Sequence, residues 1–171
     1  MIRAFLLAVG ALCTTTPAVS QAERLPTFED FPVIPRDVDG FPAPVLDTTW
    51  QAQRWGTDIV AAAKGCANFA GHYCLVTLPA DQLVGHQIAL VNVVGGRVHW
   101  LNASPLLGVA GRVDSDLLIF DPQDLVQRYQ ARACSDSTAR SEPRCLEVTT
   151  HYYRWDGSAL MPLRVPSVGS P

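Results

Sequence analysis

Residues 86–101 read HQIALVNVVGGRVHWL, and this stretch commits the chain to antiparallel β structure. Two runs rich in Ile, Leu, Val and Trp flank Gly95-Gly96. A diglycine between β-type runs supplies the positive φ that a two-residue hairpin turn needs. Strands are expected at His86–Val94 and Arg97–Leu101. Upstream, Ala70–Leu78 (AGHYCLVTL) is a third β-type run. Downstream, Asp116–Phe120 is short and apolar, and Leu146–Trp155 alternates, with Val148, Thr150, Tyr152 and Arg154 on one side. Asp156-Gly157 marks a second hairpin turn, leading into Leu160–Leu163. The helical signal lies before the strands. Asp47-Thr48-Thr49 offers an N-cap, Trp50, Trp55, Ile59, Val60 and Ala63 form an apolar stripe, and Gly65 follows Lys64 as the stop. Asp124–Ala131 reads as one further helical turn. The expected fold is α+β: one helix packed on an antiparallel, meander-like sheet.

The N-terminus has the parts of an export signal. Arg3 is followed by an apolar run from Ala4 to Cys13, then TTTPAVSQA, with Ser20 and Ala22 at the positions a signal peptidase reads. Residues 1–22 are read as a cleavable signal peptide, and the periplasm as the destination. Leu12 before Cys13 departs from the small residue that a lipidation signal carries. Residues 23–46 are proline-rich and aperiodic, an arm draped over the domain or a flexible lead-in. A single globular domain over 47–164 and a flexible tail over 165–171 complete the organisation. The whole chain of 171 residues has 13 Lys+Arg, 16 Asp+Glu and a formal charge of −3. Removing Arg3 with the signal makes the charge −4, and that mild acidity argues against nucleic acid or anionic lipid as a partner. No membrane insertion is expected after cleavage.

Cleavage also removes Cys13 and leaves Cys66, Cys74, Cys134 and Cys145. An even number in an oxidising compartment reads as two disulfides, with three possible connectivities. Local pairing, Cys66 with Cys74 and Cys134 with Cys145, is the simplest. A zinc site is the rival reading, but no CxxC pair occurs.

AAAKGCANFAGHY (residues 61–73) and YYRWDGSALMPL (152–163) together resemble an uncharacterised family of exported bacterial proteins. That family is marked by an N-F-A-G-H-Y strand and a C-terminal Y-x-W-D-G hairpin. The resemblance spans roughly residues 48–163 and implies the same helix-then-hairpins fold. The chain departs from the family in one place: LPADQLVGHQ stands where relatives carry a W-G-C-G-x-x-C stretch.

Catalytic chemistry has one candidate centre. His72, beside Asn68 and Tyr73, has the residue types of a general base and its neighbours. Strand alternation puts His72 on a face with Ala70, Cys74, Val76 and Leu78, so a buried histidine with one hydrogen bond is the plainer reading. Gly71 would admit a closely approaching backbone or ring. His86, His99 and His151 share no metal-ligand spacing, and HExxH, G-x-S-x-G and phosphate-loop motifs do not occur. Neither a metal nor a cofactor is expected.

Recognition is better supported. Asn102–Ser115 (NASPLLGVAGRVDS) joins two expected strands and is longer than most hairpin loops. Ser104, Pro105, Leu106, Leu107, Val109, Arg112, Asp114 and Ser115 would make an apolar tip on a polar base, which suits a partner-binding loop. Folding back over one end of the core is the competing role for this loop. Trp100, Tyr152, Tyr153 and Trp155 are candidate contact aromatics, or sheet packing. The expected function is a non-enzymatic periplasmic binding protein, most concretely an inhibitor or immunity protein. Its partner would be a periplasmic or secreted protein such as a peptidoglycan-hydrolase toxin. A small hydrolase at Asn68, His72 and Tyr73, and a structural envelope role, are the alternatives.

Overall fold

Strand β2 (Gln87–Asn92) is buried on both faces, and the fold is built around it. A computed structural model describes residues 24–79, 85–133 and 146–165. Helix α1 (Trp50–Ala62) covers one face of a sheet ordered β1 (Tyr73–Leu78), β2, β3 (Val98–Trp100). A second sheet covers the other, ordered β4 (Val109–Ala110), β5 (Leu117–Phe120), β6 (His151–Trp155), β7 (Leu160–Pro162). All pairings within the sheets are antiparallel and follow chain order. Ala89 and Val91 join Cys74, Val76, Leu78 and Ile59 on the helix side. Ile88 and Leu90 join Phe69, Leu118, Phe120 and Trp155 between the sheets. Period-two alternation with both faces covered explains why IALV is apolar throughout. Each such fully buried side chain contributes roughly 1.5–3 kcal/mol.

The α+β class and antiparallel pairing match the expectation, while several details differ. Among the described residues there are two sheets and two α-helices, because Asp124–Ala131 belongs to a full helix, α2 (Gln123–Ala133). Both hairpin loops are longer than two residues. Val91 still pairs with Val98, and Trp155 with Leu160, across loops that an Asx side chain organises. Asn92 Oδ1 accepts the N–H groups of Val94 and Gly95 at 3.0 and 3.1 Å. Asp156 Oδ1 accepts those of Ser158 and Ala159, both at 2.8 Å, and these bonds hold its pKa below the ordinary carboxylate value. The expected strands at Ala70–Leu78 and Leu146–Trp155 begin late, at Tyr73 and His151. Ala70 and Gly71, with φ of 43° and 80°, form a turn that strand geometry forbids.

The arm lies draped along the domain. Val33 N–H donates to Asp114 O (3.0 Å), Arg36 N–H to Gly71 O (2.9 Å) and Val45 N–H to Gly96 O (2.7 Å). Glycine is required where it crosses: a Cβ on Gly71 would stand 2.9 Å from Ile34 O, and one on Gly96 2.7 Å from Ala43 O. Cys66 and Cys74 form a disulfide with Cα atoms 5.3 Å apart, tying the end of α1 to β1. Closing so short a loop contributes about 2.5 kcal/mol in the chain-entropy picture. Cys134 and Cys145 lie outside the described residues, as does the expected signal peptide. Among the described residues no helix is long and apolar enough to cross a membrane.

Candidate functional site

Asn68, His72 and Tyr73 are neighbours in sequence whose side chains serve different ends. The Asn68 amide pairs with the backbone of β1, accepting from Leu75 N–H at 2.7 Å and donating to Leu75 O at 3.3 Å. It occupies the outer edge of β1 as a neighbouring strand would. Tyr73 is buried, its ring 5.6 Å from Trp155 and 6.2 Å from His99, its hydroxyl donating to Gly157 O at 3.5 Å. His72 is not on the strand face that alternation assigned it. It ends the turn before β1, half-buried, with its ring 4.5 Å from that of Tyr73. Burial and then the charge of Arg36 hold its pKa below the usual histidine value. Among the described residues its ring makes no hydrogen bond to Asn68 or Tyr73, so the base-and-nucleophile geometry is not formed here.

The 102–115 segment is a fitted cover with a narrow exposed part. Pro105 and Ser115 are buried, Leu106, Leu107, Val109 and Asp114 are half-buried, and Ser104 and Arg112 are exposed. Val109 belongs to β4 and pairs with Phe120. Buried Asp121, at the end of β5, anchors the turn: its carboxylate accepts the N–H groups of Leu106 (3.2 Å), Leu107 (2.5 Å) and Gly108 (3.3 Å). Gly111 is pressed against Phe69, Leu75 and Leu118, where a Cβ would come within 2.9–3.2 Å. The base of the segment meets the arm. Arg112 pairs with Asp114 (2.9 and 2.6 Å) and with Glu29 (2.6 Å), and lies over the Phe28 ring at 5.4 Å. These bonds hold the Asp114 carboxyl below, and the Arg112 guanidinium above, their ordinary pKa values; the Glu29 carboxyl is lowered first by its own backbone N–H and then by Arg112. Ser115 Oγ accepts from Leu117 N–H at 3.2 Å. The exposed positions are therefore Asn102, Ser104 and Arg112, and Leu106 and Leu107 stand half-buried on the turn that Asp121 holds from beneath.

A feature not anticipated from the sequence adjoins that turn. The outer edge of β3, its continuation through Ala103 and the β6–β7 hairpin enclose a cleft of about 560 Å³. Its walls carry His99, Tyr153 and Trp155, and Asp47 stands at its rim. The His99 ring lies 5.2 Å from that of Trp155, in an edge arrangement. Burial, then the charge of Arg97, holds the pKa of His99 below the usual histidine value. The sequence offered a weak signal, the aromatics Trp100, Tyr153 and Trp155, but their meeting with His99 depends on how the sheets stack. Trp100 turns the other way and packs toward α1. Among the described residues no three His, Cys, Asp or Glu side chains converge as a metal site. Comparison with protein-family models, with characterised proteins and with solved structures finds no match.

Proposed function

We propose that the protein is an exported, non-enzymatic binding protein of the inhibitor or immunity kind, directed at a secreted cell-wall-degrading hydrolase. The observation that carries this reading is the anchored turn Ser104–Leu107. One buried carboxylate holds three consecutive backbone N–H groups and leaves Leu106 and Leu107 half-exposed on a fixed frame. A loop shaped before binding avoids the ordering cost of association, which is how rigid inhibitors gain affinity. The signal-like N-terminus, the Cys66–Cys74 disulfide and the mild acidity agree with that role.

The test adds purified exported protein to the peptidoglycan-lysing activity secreted by the source cells. Saturable, stoichiometric loss of lysis is expected, and Leu107→Asp should weaken it by about a hundred-fold, as truncation of a buried contact residue does. Undiminished lysis at about ten-fold molar excess overturns the reading. In the same assay His72→Ala should inhibit as the parent does; loss of its effect with the fold intact would return the hydrolase alternative.

A further inference from the structure

The β3 edge of the three-stranded sheet is open inside the cleft. Asn92 N–H donates to Arg97 O (2.8 Å) and Leu101 N–H to Ile88 O (3.0 Å), which marks the hydrogen-bonded pairs of the β2–β3 ladder. Leu90 faces His99 midway between them. In an antiparallel ladder these pairs alternate with pairs whose N–H and C=O groups point away. His99 therefore gives its backbone groups to β2, while Val98 and Trp100 turn theirs outward. The parallel bridge between Val45 and Arg97 takes the Val98 N–H, which leaves the Val98 C=O and both backbone groups of Trp100 turned toward the cleft.

An extended segment already uses the start of this edge. Val45 bridges to Arg97 in parallel, its N–H on Gly96 O, and the chain then leaves at Asp47 on the rim of the cleft. Beyond that point Val98–Trp100 line the cleft for about 10 Å at strand spacing, and Leu101 to Ala103 continue its wall without strand structure. The outward C=O of Val98 and the N–H and C=O of Trp100 match the backbone of a short extended segment. The opposite wall offers the half-buried Tyr153 ring with the nearly buried Trp155 ring behind it, and the His99 ring stands on the β3 side; apolar or aromatic side chains can pack against these rings.

We infer that the cleft binds an extended peptide segment of a protein partner, which adds as a strand to the outer edge of β3 with alternate side chains against His99, Tyr153 and Trp155. This deepens the binding reading above and rests on it. The chain leads from the end of β3 through Leu101–Ala103 into the anchored turn, so one partner would meet both.

The probe is a phage-displayed library of random twelve-residue peptides, selected on the purified exported protein. Selected peptides are then titrated into ¹⁵N-labelled protein. The amide signal of Trp100 should shift and gain protection from hydrogen exchange. Trp100→Pro removes the open outward donor without touching the β2 ladder, and should weaken binding about ten-fold. Ala159→Trp, which fills the cleft from its exposed rim, should do the same and covers the case in which the proline variant misfolds. Peptides that shift only residues 104–109 overturn the strand-addition proposal while leaving protein binding intact. Failure to recover any β3-directed peptide overturns it too. So does a shift of the His99 and Trp155 side-chain signals with N,N′-diacetylchitobiose alone, which would make the cleft a saccharide site.

Discussion

The two edges of the three-stranded sheet are treated differently. On β1 the Asn68 side chain pairs with Leu75 as a strand would, and the Cys66–Cys74 bridge fastens the incoming chain beside it. On β3 the arm covers Arg97 and the Val98 N–H, and the Val98 C=O and the backbone groups of Trp100 are left facing a cleft. An uncovered edge is a liability that proteins usually suppress. One edge closed by a dedicated side chain and the other left open within a shaped recess argues that the openness serves recognition.

The sharpest way to break the comparison is proline scanning of β3. His99→Pro removes a ladder donor and should cost about 3 kcal/mol or more, while Val98→Pro removes only the bond to the arm and should cost less than about half of that. Urea midpoints measure both, and equal losses would mean that the edge is not open as described. On the closed edge, the double change Cys66→Ala with Cys74→Ala should lower stability by about 2.5 kcal/mol. Asn68→Ala should cost about 1–2 kcal/mol by leaving the Leu75 backbone without a partner, and Asn68→Asp less, since its carboxylate still accepts from Leu75 N–H. The smallest effect concerns pH. His72 and His99 both have pKa values lowered by burial, so the unfolded chain takes up protons that the folded one resists. Their contribution is complete above the ordinary histidine pKa of about 6.5 and is lost as pH falls below it. Stability should decline modestly between about pH 7.5 and about pH 5.5, ahead of the carboxylates, and His99→Phe should flatten that slope.

Much of the fold was legible because local chemistry decides it. The β-type runs are marked by their Val, Leu, Ile and aromatic content, Asp47-Thr48-Thr49 offered the cap of α1, where the Thr49 side chain accepts from Ala52 N–H, and Gly71 admits a backbone; the second sheet over the IALV run was not in the expectation. The hairpin loops were misjudged because glycine was read as the turn-maker, when Asn92 and Asp156 set the loop length. The face of His72 was misread because alternation was carried back through Ala70 and Gly71, whose positive φ breaks it. Residues of the 102–115 segment were picked out as a group, yet which of them face outward depended on Asp121 and on the arm, distant in sequence from one another. The cleft was hidden for the same reason: His99 and Trp155 belong to different sheets.

The crossing points of the arm also order events in time. Residues 33–45 leave the ribosome before every group they bond to, and their last partner, Asp114, is made about two-thirds of the way along the chain. Contacts of such separation form late and slowly. The arm therefore remains unsettled until β5 exists, and its closure is a terminal step of folding rather than a nucleus for it.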